Sequence, residues 1–165
     1  MIVKIINWIT VSLVLSLSTG LFAQRNRTSD CNRSIERNSR SYLNVAYNQA
    51  VFDQPMDFSH DKFKGVSEFE NAHFKSDVNF GHALFLGKAG FNRTHFSGVA
   101  DFQNTHFSKP VFFDAASFDS VAIFDKTEFN HRASFVQSRF HGKANFMVTH
   151  FHKLANFSAV RFDSL

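Results

Sequence analysis

Cysteine is nearly absent: Cys31 is the single one in 165 residues. No intramolecular disulfide can therefore staple the fold. Cys31 follows Thr28-Ser29-Asp30, whereas a lipid-anchored cysteine needs small or apolar residues just ahead of it. Lipidation is not expected. Catalytic constellations are missing too. The acidic residues are spread singly, so no carboxylate pair is specified at general acid/base spacing. Gly87, Gly90 and Gly98 occupy turn or exposed positions and form no phosphate loop followed by a helix. No serine is singled out beside a base and an orienting partner. These gaps argue against an enzyme, and neither a cofactor nor a catalytic residue is expected.

An acidic excess is also lacking. The formal net charge is +4, which invites a nucleic-acid reading until the charges are placed. From Phe52 onward there are twelve Lys/Arg and twelve Asp/Glu. The excess comes from Lys4 and from Arg25, Arg27, Arg33, Arg37 and Arg40, set against Asp30 and Glu36. A segment neutral in sum has no net field to gather phosphates, so nucleic acid is not an expected partner.

The chain opens with Lys4, an apolar run from Ile5 to Leu17, and Ser18-Thr19-Gly20-Leu21-Phe22-Ala23 before Gln24. A basic start, an apolar stretch and a small residue before the cut read as a secretory signal peptide over residues 1–23. Arg25 and Arg27 come directly after it, and positive charge there favours the alternative of an uncleaved inner-membrane anchor. Export to the periplasm, outer envelope or medium is the expected localisation. Membrane attachment is expected only of the uncleaved form. Residues 24–40 are polar and basic and read as a linker. Over 41–51, Tyr42, Val45, Ala46 and Ala50 recur near helical spacing after a Ser41 N-cap, which predicts a short helix capping the remainder of the chain.

That remainder is dominated by phenylalanine. Twenty-one of the 23 phenylalanines recur from Phe52 to Phe162 at alternating steps of six and five. One column, starting at Phe52, continues through Phe63, Phe74, Phe85, Phe96, Phe107, Phe118, Phe129, Phe140, Phe151 and Phe162. The other runs Phe58, Phe69, Phe80, Phe91, Phe102, Phe113, Phe124, Phe135, Phe146 and Phe157. The unit is eleven residues, as in FSGVADFQNTH from Phe96 or FHGKANFMVTH from Phe140. Small residues stand two before the second phenylalanines, among them Val78, Ala100, Ala122, Ala133 and Ala144, broken only early on by Met56 and Ser67. Two before each first phenylalanine the residues are also small, with Asp61 the exception.

Small, polar, Phe is an alternation of three residues, hence a very short strand whose outer two side chains share a face. Turn-forming residues come next. On a helix, successive phenylalanines would fall roughly 120–140° apart on opposed stripes, and the Asn, His, Ser, Thr and Gly fillers are weak helix formers. A short period sustained over two-thirds of a chain specifies a solenoid whose units bury apolar side chains only against neighbours. Both prolines, Pro55 and Pro110, fall three residues after a first phenylalanine. That column is expected in a widened corner where no ladder hydrogen bond is required.

Ala100-Asp101-Phe102, Val78-Asn79-Phe80, Ala144-Asn145-Phe146 and Ala155-Asn156-Phe157 resemble the Ala-(Asp/Asn)-(Leu/Phe) unit of the pentapeptide-repeat proteins. The extra residue in every second unit is similar to the phenylalanine-rich, eleven-residue branch of that family. The resemblance implies an all-β fold over 52–165: a right-handed parallel quadrilateral β-helix with one pentapeptide per side. Four sides take 22 residues, giving about five coils and a stack roughly 24 Å tall. It further implies end-to-end pairing, so a homodimer through the last coil is expected. The best-known family activity, DNA mimicry that engages type II topoisomerase, needs an acidic coat that this array lacks. The function expected instead is a non-catalytic scaffold or protein-interaction rod, with a cytoplasm-facing anchored repeat domain as the rival.

Among surface positions, histidine stands out, with nine in the chain. His73 and His95 share one outward column, and His60 and His82 share a corner column, each pair one coil apart. These pairs are the weak candidates for zinc or nickel, although two ligands per site complete no metal centre. The other candidates are apolar. Phe112 lies off the lattice beside Pro110, and Ile123 occupies the same position one unit later on the opposite side, so either is a candidate protein contact.

Overall fold

A strand this short has no stability of its own, so its partners must come from the next coil of the same chain. The computed structural model describes residues 39–164, and in it twenty-three strands of two residues each succeed one another without a helix. The signal or anchor segment, most of the linker and Cys31 lie outside the described residues. The strands stack into four parallel sheets, which form the four faces of a quadrilateral solenoid of nearly six coils.

The first face carries Ser41–Tyr42, Lys62–Phe63, Leu84–Phe85, His106–Phe107, Glu128–Phe129 and His150–Phe151. The second carries Val45–Ala46, Ser67–Glu68, Ala89–Gly90, Val111–Phe112, Ala133–Ser134 and Ala155–Asn156. On the third lie Val51–Phe52, His73–Phe74, His95–Phe96, Ser117–Phe118, Arg139–Phe140 and Arg161–Phe162. Met56–Asp57, Val78–Asn79, Ala100–Asp101, Ala122–Ile123 and Ala144–Asn145 form the fourth. Every pair is parallel and in register, as where Phe85 stands between Phe63 and Phe107. The ladder results from that register: Leu86 N–H donates to Phe63 C=O at 2.8 Å, and Ser108 N–H to Phe85 C=O at 2.8 Å.

Inside, the two phenylalanine columns do different work. First-column rings stack face to face between coils, as Phe96 does on Phe74 at 5.3 Å and on Phe118 at 4.7 Å. Second-column rings enter alternately from the second and fourth faces and interleave along the axis. Phe80–Phe91, Phe91–Phe102 and Phe102–Phe113 meet edge to face at 5.6, 5.6 and 5.4 Å. Offset-stacked and T-shaped geometries are the two that the ring quadrupole favours. Each 22-residue coil thus places its rings with both geometries satisfied. Phe58 through Phe140 are buried, with Ala100, Ala122 and Ala133 beneath them.

The two kinds of corner have different chemistry. After each second phenylalanine comes a tight turn, closed by N–H of Asp61 to C=O of Phe58 at 3.1 Å and its equivalents. The third residue of this turn has φ near +55 to +60° at eleven positions, and none is glycine; Val148 and Ala115 are among them. After each first phenylalanine comes the wider corner that holds Pro55 and Pro110. Its third residue accepts a ladder bond, Ala89 N–H to Pro110 C=O at 3.1 Å. In that column the N–H of Val66 donates to Asn44 Oδ1 and that of Val99 to Asp77 Oδ1, so it goes to a side chain and not to the ladder. Proline therefore loses nothing there. Glycine is used at this wide corner for close approach: a Cβ on Gly87 would lie 2.0 Å from the Gly65 carbonyl oxygen.

Residues 41–51 depart from the expected capping helix. They form three strands of an additional first coil, which raises the number from about five coils to nearly six. Tyr42 stacks on Phe63 at 5.0 Å and Tyr47 lies 5.6 Å from Phe69, so tyrosine continues both columns. The first wide corner is one residue shorter, pairing Tyr42 with Phe63 but Val45 with Ser67. That deletion, together with the change from Phe to Tyr, disguised a repeat as a helical pattern.

Candidate functional site

The first coil ends in a polar clamp that sequence reasoning missed. Asp61, the exception in its small-residue column, is 2 % exposed. Its carboxylate accepts from the Arg40 backbone N–H at 3.0 Å and from Nε at 3.0 Å, and it pairs with a terminal guanidinium nitrogen at 2.6 Å. The Tyr42 hydroxyl donates to the other carboxylate oxygen at 3.2 Å. Burial and the adjacent carboxylate push the Tyr42 phenol well above its ordinary range. Arg40 also reaches the Asp57 carbonyl and lies over the Phe58 ring at 5.8 Å. The signal was legible in part: an aspartate where every other coil has Ala, Thr, Ser or Val demands a cation nearby.

Deeper in the stack, the same column holds hydroxyls that need no cation. Thr94, Thr105 and Thr127 Oγ1 donate to the carbonyls of Phe69, Phe80 and Phe102 at 2.7–2.8 Å. Each bond ties one coil to the next.

The candidate histidines are placed as pairs. His73 stacks on His95 at 4.5 Å, and His60 on His82 at 4.7 Å. Beyond the stack, His73 Nε2 faces Ser97 Oγ at 2.9 Å, and His95 Nε2 meets Asp119 Oδ2 at 2.5 Å. Burial, the neighbouring His95 and Lys75 hold the His73 imidazole below its ordinary value. Burial alone would raise Asp119, but hydrogen bonds from His95 and Ser117 outweigh it and hold its carboxyl below the usual range. Among the described residues no three His, Cys, Asp or Glu side chains are grouped to hold a metal.

Phe112 and Ile123 are half-buried and lie on opposed faces, so the fold does not bring them together. Phe112 is flanked by cations, with Lys88 Nζ 5.0 Å from its ring centroid on one side and Arg132 Cζ 5.9 Å on the other. In the last coil the expected core thins. Ala144, Phe146 and Phe151 are half-buried, Phe157 is 37 % exposed and Phe162 is 50 % exposed. Among the described residues no further coil stacks on these rings. Leu154 and Val148, at 66 % and 54 % exposure, add to the apolar surface there.

No curated protein and no solved structure matches the chain. Residues 91–139 match the family profile described as pentapeptide repeats (9 copies). The register of that segment continues unbroken to either side, through strands from Val51 to Phe162 with the same columns and the same turns. The four-faced solenoid thus carries the register of the segment similar to pentapeptide repeats well beyond the 49 residues that the profile matches.

Proposed function

We propose that this protein is an exported, non-catalytic scaffold: a rigid rod that presents four ordered faces to other proteins and pairs with a second copy through its last coil. Continuity of the aromatic stack supports the rod, because each coil is fixed only by its neighbours and, among the described residues, the phenylalanine columns run from Phe52 to Phe162 without a break. The observation that carries the pairing is the contrast within one column. Phe118 is 1 % exposed and Phe140 0 %, whereas Phe162, stacked on Phe140 at 4.9 Å, is 50 % exposed. A ring left half in water is matched best by another ring face, and a second copy offers one of the same spacing.

Light scattering of the purified protein at micromolar concentration tests this reading, with a dimer mass expected. Phe162→Ser with Phe157→Ser shifts the mass to that of a monomer while the far-UV spectrum is kept. A monomeric wild-type mass overturns the pairing. Export is tested separately by N-terminal sequencing of the mature protein, which should begin at Gln24.

A further inference from the structure

Charge that cancels in sum is segregated in space. The wide corner between the first and second faces carries one cation on each of five successive coils: Lys64, Lys88, Lys109, Arg132 and Lys153. All five are exposed, and none forms an ion pair with another described residue. No carboxylate stands in this corner on any coil from Leu43 to Leu154. The nearest acids sit on the flanking faces and are engaged elsewhere. Glu68 accepts from Asn48 at 3.0 Å, and Glu128 pairs with His106 at 3.1 Å. The diagonally opposite corner differs: Asp53 pairs with Lys75 at 2.7 Å and Asp163 with His141 at 2.6 Å. The basic corner also holds exposed aliphatics, Leu43 at 72 %, Val66 at 41 % and Leu154 at 66 %.

We propose that this edge is a docking surface for an anionic lipid bilayer, on which the solenoid lies along its length. Corners stacked at about 4.8 Å per coil form a straight ridge roughly 19 Å long between the first and fifth cation. Every group on such a ridge reaches one plane together. Cations spaced along it meet a sheet of lipid phosphates, and leucines at both of its ends enter the headgroup boundary. A soluble polyanion would use the cations and leave Leu43, Val66 and Leu154 unrewarded. The aliphatics are what select a membrane from the anionic partners.

Lysine footprinting on the full-length protein tests this independently of how the N-terminal segment behaves. Acetylation is monitored by mass spectrometry with phosphatidylglycerol-containing vesicles, with phosphatidylcholine vesicles and with soluble polyphosphate. Lys64, Lys88, Lys109 and Lys153 should be labelled several-fold more slowly on the anionic vesicles only, while Lys75 and Lys143 near the opposite edge keep their solution rates. Equal protection of both sets, or protection of neither, overturns the proposal. Neutralising Lys88, Lys109 and Arg132 to Gln should weaken anionic-vesicle binding about a hundredfold at low salt, since each cation near the surface is worth about fivefold. The same charge change at Arg93, Arg139 and Lys143 should leave the edge protection intact. Leu43→Ser with Leu154→Ser should weaken vesicle binding and leave polyphosphate binding unchanged. Vesicle binding that survives this change, with tighter binding to polyphosphate, would assign the edge to a soluble polyanion instead.

Discussion

The first and last coils are built from the same repeat and finish in opposite ways. At the first, Tyr42 and Tyr47 replace phenylalanine, and the buried Asp61 is closed over by Arg40. At the last, phenylalanine continues, and Phe157 and Phe162 keep ring faces in water. The aromatic column tolerates either finish because each ring needs only one stacked neighbour to hold its place. A hydroxyl at the tip of the ring, or a second ring from elsewhere, then decides how the end meets solvent.

The sharpest way to break this comparison is to shorten one ring in the middle and one at the end. Phe102 is fully buried, with rings at 5.0 Å above and below, so Phe102→Ala should cost about 3–5 kcal/mol. Phe162→Ala removes a ring that in the single chain is half-exposed with one stacked neighbour, and at concentrations dilute enough to keep the chain monomeric it should cost under about 1.5 kcal/mol. Denaturant midpoints at unchanged slope report both. Equal losses would mean that the last coil is as well packed as the interior.

The polar finish should be the next most sensitive. Asp61→Ala deletes the acceptor for the Arg40 guanidinium and the Tyr42 hydroxyl, and the loss of charge-assisted bonds at a 2 % exposed carboxylate predicts a cost of about 2–3 kcal/mol. Asp163→Ala, which breaks an exposed pair with His141 in the last coil, should cost no more than about 1 kcal/mol. Thermal unfolding of the two variants side by side separates a buried clamp from a solvated one.

Much of this architecture was legible in spacing alone. Steps of five and six gave the strand alternation and the corner that accepts Pro55 and Pro110, because a strict period admits few geometries, whereas the four faces followed only from the resemblance to the pentapeptide-repeat proteins. The first coil was less legible, since Tyr42 and Tyr47 change the residue type while a one-residue deletion shifts the step. The basic edge was hidden for another reason. Lys64, Lys88, Lys109, Arg132 and Lys153 fall at three different offsets after a first phenylalanine, so no single column is basic. Only folding the offsets into one corner brings them together. Asp61 stood out in sequence, but its partner Arg40 lay among the residues read as linker.

The turns sharpen the same contrast between ends. Asn71, early in the stack, holds φ +55° at little cost because asparagine tolerates the left-handed region, whereas Val148 in the last coil holds φ +54° against its branched Cβ. Val148→Gly should therefore stabilise by about 1 kcal/mol, the relief of left-handed strain exceeding the entropy of the added glycine. Asn71→Gly should change stability by no more than a few tenths. A raised midpoint for the first and none for the second would locate backbone strain in the last coil.

The smallest expected effect is a dependence on pH that belongs to the third face near the first coils. His73 has its folded-state pKa lowered by burial, by His95 and by Lys75, with Asp119 and Asp53 opposing more weakly. A lowered pKa means that the unfolded chain takes up the proton first. Stability therefore falls as pH drops below about 6.5, the ordinary histidine value, and levels off once the folded state is protonated as well. His73→Gln should flatten that part of the melting-temperature profile while leaving the plateau above neutrality unchanged. The Asp119 carboxyl, held low by His95 and Ser117, adds a separate loss at more acidic pH that His73→Gln does not remove. A profile that keeps its slope near pH 6 in the variant would place the titrating group elsewhere on the solenoid.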